Sequence, residues 1–184
     1  MFKIIVGLGN PEKQYQTTRH NAGFIIIDAL AKRLGLTWQN NKKFSADITK
    51  NNELILVKPL TYMNNSGQAV QAILSFYKLL PKKFGLLTAK NSDLSSILTV
   101  VHDDLDIDFN KYKISVDSRS AGHRGIESII NRIKTKNFTR IRIGIKNSFV
   151  TKIPTKKFVL QNFSQQELIS LNKLINLLLD NVLK

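Results

Sequence analysis

Three stretches decide the architecture: FKIIVG at 2–7, FIIIDALAKRLG at 24–35 and ILTVVHDD at 97–104. The first and third are short, continuous apolar runs, one closing on Gly7 and the other running into acids. Such runs belong to strands buried on both faces of a sheet. The second places Phe24, Ile27, Leu30 and Leu34 at helical spacing and predicts a helix closed by Gly35. Outward from these, FSADITK (44–50) and ELILVKP (53–59), separated by two asparagines, predict a hairpin. SGQAVQAILSFYKLLP (66–81) predicts a helix with Val70, Ile73, Leu74 and Tyr77 on one face and Pro81 beyond its end. KYKISV (111–116) and the alternating TRIRIGI (139–145) read as strands, with GIESIINRIK (125–134) a helix between them. SQQELISLNKLINLLLDNVL (164–183) is a terminal helix opened by a Ser164-x-x-Glu167 capping box, and 82–96 reads as a loop. Strands interleaved with helices, with neither an internal repeat nor a dividing linker, predict an α/β sandwich around a mostly parallel or mixed sheet.

Composition narrows the functional classes. The 184 residues, 42% hydrophobic and 22% charged, suffice for one domain with a proper core. The absence of cysteine excludes a disulfide framework, a thiolate nucleophile and any Cys-ligated zinc or iron–sulfur site. The N-terminal apolar run is too short for a signal peptide and no segment reaches the length of a membrane span, so a cytosolic protein with no membrane partner is expected. The formal charge is +15, and residues 111–157 alone carry 13 Lys/Arg against 2 acids. A field so concentrated attracts polyanions, nucleic acid first among them. A solvated lysine-rich surface is the plainer reading of the same charge.

Ligands of α/β sheets bind beyond the carboxyl ends of the strands, which directs attention to the polar residues there. The first strand delivers Gly7-Leu8-Gly9-Asn10-Pro11, followed by Glu12 where a dinucleotide fingerprint requires glycine. A carboxylate at that point repels a pyrophosphate, so the turn is left with Asn10, an amide that both donates and accepts. All three histidines stand in polar contexts: His20 in TRHN, His102 in VHDD and His123 in GHRG. His20 and Asp103 are expected at one sheet edge with Asn10. A carboxylate bonded to one imidazole nitrogen fixes the tautomer and leaves the other nitrogen to take a proton from water. With no cysteine and no G-x-S-x-G elbow, water is the economical nucleophile. An amide donor nearby would serve the developing oxyanion.

GLGNPEKQYQTTRHNAGF (7–24), KPLTYMNNSGQAV (58–70), VVHDDLDI (100–107), GHRGIESI (122–129) and FTRIRIGI (138–145), in that order and spacing, resemble the bacterial peptidyl-tRNA hydrolase family. VLQNFS (159–164) resembles the family's approach to its last helix, so the likeness spans about residues 1–165. The resemblance implies one domain over 1–184, a three-layer α/β/α sandwich with a twisted mixed sheet. It implies a monomer that hydrolyses the ester joining peptide to the 3′-terminal adenosine of tRNA, recycling tRNA in translation, with neither metal nor cofactor. By matching position it makes His20 the catalytic histidine, Asp103 the acid that orients it, and Asn10 and Asn64 the amides that hold substrate and water. Which amide stabilises the oxyanion stays open. Tyr15 and Met63 match cleft-wall positions, and Asn21 and Arg124 match substrate-binding ones. Lys111, Lys113, Arg140 and Arg142 are candidates for tRNA phosphates; as β-strand residues, Arg140 and Arg142 read equally well as an exposed strand face.

Three departures stand out. Arg124 replaces the asparagine of the family's GGHNG segment, an amide exchanged for a cation that would contact a phosphate or the peptide carboxamides. VDSRSAG (116–122) has fewer glycines than the family shows, and Lys146-Asn147-Ser148 replaces the usual glycine and proline-bearing turn. Other readings are a catalytically lapsed RNA-binding relative, a metal-dependent phosphohydrolase built on the His102-Asp103 pair, and a nucleotide-binding or structural module. His102 is expected to be packed or hydrogen-bonded beside the sheet, and His123 to be a cleft residue rather than a proton carrier. Trp38 has no functional reading.

Overall fold

The computed structural model describes residues 2–83, 87–88, 90–148 and 150–181. In chain order the elements are β1 (Lys3–Gly7), α1 (Ala22–Arg33), β2 (Gln39–Asn41), β3 (Ala46–Lys50), β4 (Leu54–Pro59), α2 (Ser66–Phe76), β5 (Lys82–Lys83), β6 (Leu87–Thr88), β7 (Leu98–Asp108), β8 (Tyr112–Ser115), α3 (Arg124–Ile133), β9 (Thr139–Lys146), α4 (Thr155–Val159) and α5 (Gln165–Asn181). Single 3₁₀ turns lie at Lys13–Tyr15, Arg19–Asn21 and Met63–Asn65.

Seven strands form one sheet in the order β2-β3-β4-β1-β7-β9-β8. Parallel pairing is confined to the central four, β4-β1-β7-β9, and the edges are antiparallel. The sheet is therefore mixed, with its buried centre built from the continuous apolar runs. Successive residues of β1 face opposite ways. Ile4 and Val6 join Val70, Ile73 and Leu74 of α2 and Ile126, Ile129 and Ile133 of α3 on one side. Ile5 joins Ile26, Ile27 and Leu30 of α1 and Leu171, Ile175 and Leu178 of α5 on the other. The result is a three-layer α/β/α sandwich. Among the described residues, no helix is long and apolar enough to cross a membrane.

Element ends follow the expected chemistry at some points and depart from it at others. Gly35 (φ 65°) closes α1, with its N–H on the Lys32 carbonyl and that of Leu36 on Ala31. Leu34, expected on the buried face, is instead exposed at the helix end. The capping box forms as read: Ser164 N–H donates to Glu167 Oε2 at 2.8 Å and Glu167 N–H to Ser164 Oγ at 3.2 Å. The helix expected to run toward Pro81 stops at Phe76, because Lys78 adopts a left-handed conformation (φ 56°) and the Leu79 N–H returns to the Leu74 carbonyl. The 82–96 stretch contains the short β5–β6 ladder and the buried Leu94; residues 84–86 and 89 lie outside the described set. Beyond β9, the 147–154 connection leads into α4, which the sequence reading did not contain.

One close approach places the site. A Cβ on Gly23 would lie 2.4 Å from both the Leu8 nitrogen and the Val101 oxygen. Only glycine lets the first turn of α1 rest directly on the ends of β1 and mid-β7. That contact brings the turn carrying His20 over Asp103.

Candidate active site

Asp103 is 2% exposed in β7 and accepts from two imidazoles. His20 Nδ1 lies 2.9 Å from its Oδ1 and 3.0 Å from its Oδ2; His123 Nε2 lies 3.0 Å from Oδ1. An ionised carboxylate only accepts, so His20 carries its proton on Nδ1 and keeps its lone pair at Nε2. His123 Nδ1 accepts the Ile126 N–H at 3.3 Å, capping α3, which independently places its proton on Nε2. Burial opposes charge on His20, yet the charge and hydrogen bond of Asp103 outweigh it and raise the pKa above the usual 6.5. Burial likewise works against the Asp103 carboxylate, but the two imidazoles more than offset it and hold the group well below the ordinary carboxylate range. His102 is buried beside them, its Nδ1 2.7 Å from the Asp103 carbonyl. Burial, reinforced by His123, pushes its pKa well below the usual value and keeps it neutral.

The turn bearing His20 is fixed from both sides. Arg19, 6% exposed, donates through Nη2 to both Glu167 oxygens at 2.9 Å and through Nη1 to the Asn162 carbonyl at 2.8 Å. On the other side Asn21 accepts the Asn10 N–H and donates to the Asn10 carbonyl, both at 2.9 Å. Asn21 is 1% exposed with both amide ends engaged on Asn10, so it positions Asn10 and does not face substrate, contrary to the sequence reading. Asn10 Oδ1 in turn accepts the Met63 N–H at 2.9 Å. Its Nδ2 is thereby left as the donor end.

Two cavities, of about 310 and 480 Å³, meet at His20. The larger is lined by Asn10, Tyr62, Met63 and Asn64; the smaller contains Asp103, Asp104, Asp106 and the 120–124 segment. Arg124 and Lys156 border both. Tyr15 lines neither cavity. Tyr62 stands there instead, held at φ 56° with its hydroxyl donating to Glu12. Nothing local in the sequence signals that left-handed tyrosine, nor the part of Lys156.

The basic strand residues divide. Lys113 is exposed on β8 opposite Arg142, and Lys111 pairs with Asp108 at 3.0 Å. Arg142 Nε bonds Asp104, a residue that lines the smaller cavity, at 2.8 Å. Arg140 is neither a phosphate contact nor part of an exposed strand face: it is 2% exposed, and its guanidinium donates to the carbonyls of Ser118 and Arg119. Burial, with the neighbouring Arg142, lowers its pKa to about 10.

His20, Asp103 and His123 each offer one ligand atom within 4.8 Å of the others, a spacing that would admit a metal ion. Metal-bound imidazoles donate their second N–H to an acceptor. His123 Nδ1 does the reverse, accepting from Ile126, so a metal at Nε2 would require an imidazolate or the loss of the α3 cap. The donor set suits a shared proton better than a cation.

A histidine with a free lone pair, a buried carboxylate behind it and an oriented amide donor beside it, over a two-chambered cleft at the carboxyl edge of a mixed sheet, is an arrangement chemically able to activate water and is a candidate active site of an α/β enzyme. Residues 4–184 match the family model described as Peptidyl-tRNA hydrolase. The chain is 42% identical over 168 residues to the peptidyl-tRNA hydrolase of Aquifex aeolicus, covering 90% of this chain and 80% of the relative. It is 41% identical over 169 residues to that of Mycoplasma mycoides subsp. mycoides, covering 90% and 83%. The crystal structure of peptidyl-tRNA hydrolase from Acinetobacter baumannii superposes with a TM-score of 0.80 at 31% identity, covering 95% of this chain and 83% of that one. The chain belongs to the peptidyl-tRNA hydrolase family.

Proposed function

We propose that the chain hydrolyses the ester between the peptide and the 3′-terminal adenosine of peptidyl-tRNA, with His20 as general base, acting as a cytoplasmic monomer without metal or cofactor. The observation that carries the reading is the His20–Asp103 pair, which leaves His20 Nε2 unprotonated at the junction of the two cavities. Nε2 takes a proton from water as the water oxygen bonds to the ester carbonyl carbon. Asn10 Nδ2, fixed by the Met63 N–H on its Oδ1, is the donor oriented for the oxyanion, while Asn64 is exposed on the same wall. Collapse of the tetrahedral adduct breaks the bond to the ribose oxygen, which leaves with the proton from His20. The products are a peptide carboxylate and a free 3′ hydroxyl. General base catalysis of this kind contributes on the order of 10²–10⁴ in rate. Lys113 and Arg142, with Lys111 beside them, would hold acceptor-arm phosphates without reading sequence.

The test is release of peptide from N-blocked aminoacyl-tRNA in EDTA. Cleavage by the wild type that is lost in His20→Ala supports the hydrolase. Binding of the tRNA with the ester left intact would instead make the chain an RNA-binding relative.

A further inference from the structure

The acids around the cleft are nearly all engaged. Asp103 serves two imidazoles and Asp104 bonds Arg142, which leaves Asp106 exposed in the smaller cavity. Two cations on the shared wall are not engaged. Arg124, the first residue of α3, and Lys156, in α4, are both exposed, border both cavities beside His20, and form no ion pair among the described residues. They come from separate elements, so their convergence on the reacting centre is a product of the fold. Neither performs a step in the hydrolysis derived above.

An exposed cation pair beside a reacting ester calls for a constant anion on the substrate. The peptide does not supply one, since its backbone is neutral and its side chains vary from molecule to molecule. The nucleic acid does: the terminal adenosine carries a phosphodiester at its 5′ position, one ribose away from the ester. We infer that Arg124 and Lys156 form a subsite for the phosphodiester 5′ to the terminal adenosine, and that Arg124 is the specificity-determining residue for it. The inference rests on the proposed hydrolase reading. A planar guanidinium gives two parallel donors to a phosphate, which an asparagine at the same position does not. The cation pair would thus hold the ribose, and with it the ester, against His20 Nε2.

The test compares two substrates: an N-acetyl-aminoacyl ester on cytidylyl-adenosine, and the same dinucleotide ester with a neutral methylphosphonate in place of the phosphodiester. The readout is the ratio of their kcat/KM values. Charge-assisted contacts of this type correspond to about a tenfold to hundredfold preference for the charged linkage. Arg124→Asn is expected to collapse that ratio toward one, Lys156→Gln to lower it less, and Arg124→Lys to restore part of it. If both variants keep the wild-type ratio, or slow the two substrates equally, the cations contact the peptide or merely shape the wall, and the inference is overturned. If the wild type cleaves neither these esters nor peptidyl-tRNA, the hydrolase reading itself fails and the subsite falls with it.

Discussion

The two segments that bring histidines to Asp103 are held in opposite ways. Around His20, Thr18, Arg19 and Asn21 are all buried, and side-chain bonds tie the turn to Asn10, to the Asn162 carbonyl and to Glu167 at the head of α5. Before His123, Asp117, Arg119, Ala121 and Gly122 are exposed, and Asp117 (φ 50°), Ala121 (φ 48°) and Gly122 (φ 78°) are left-handed. That segment is held from beneath, by the Arg140 guanidinium on its carbonyls. His20, the base of the proposed mechanism, has a buried frame on both sides. The histidine that only donates to Asp103 needs its cap on α3 and little else.

The largest effect expected from this asymmetry is at His20. His20→Ala should lower single-turnover hydrolysis by about 10²–10⁴, whereas His123→Asn should cost about tenfold or less. Equal losses would mean that both imidazoles work as one unit and that the frame around His20 has no special part. Asp103→Asn should come next, and its pH profile is more telling than its rate. On the proposed mechanism a protonated His20 cannot accept the proton of water, so kcat/KM of the wild type should fall as pH drops through a pKa raised above 6.5. Without the carboxylate charge only burial remains, which lowers the pKa, so the acid limb should move to lower pH. An unmoved limb would assign the titration to another group.

Glu167→Ala probes the frame itself. It removes the bidentate partner of a buried Arg19, half of the capping box and the acceptor for Asn147. Unfolding should be easier by about 2–3 kcal/mol, read as a fall in Tm. Glu167 is held below the ordinary carboxylate range despite burial, by the Ser164 N–H and Arg19 among others. Its contribution is therefore present at neutral pH and is lost as pH falls through that lowered value. The smallest effect belongs to the other segment. Ala121→Gly relieves a left-handed alanine and should raise stability by about 0.5–1 kcal/mol, with hydrolysis little changed. A loss of stability there would mean that the alanine side chain makes contacts that outweigh the strain.

Where a feature was set by neighbours in sequence, it could be read. The buried strands, the α1 stop at Gly35, the Ala46–Lys50 and Leu54–Pro59 hairpin and the Ser164–Glu167 box all follow from residues a few positions apart. The polar edge strand Gln39–Asn41 could not, since its pairing with β3 is all that makes it a strand. Nor could the length of β7, which continues to Asp108 through a run of acids because His20, His123 and Arg142 meet the carboxylates of Asp103 and Asp104. Trp38 also acquires a neighbour only on folding: the Lys58 ammonium lies 4.3 Å over its ring and 2.7 Å from Asp28.

The sequence by itself determined the α/β layering and the strongly basic 111–157 stretch and, through the family resemblance, the expectation that His20 and Asp103 pair. Folding alone decided that Asp103 serves two histidines, that Asn21 supports Asn10, that Arg140 lies under a loop while Arg142 pairs with Asp104, and that Arg124 and Lys156 line the same two cavities as His20. The physical reason is range. Periodicity, caps and turns are set by residues within a few positions of each other, whereas burial and charge pairing depend on which distant segments share a hydrogen bond, and those contacts exist only once the sheet and its helices have packed.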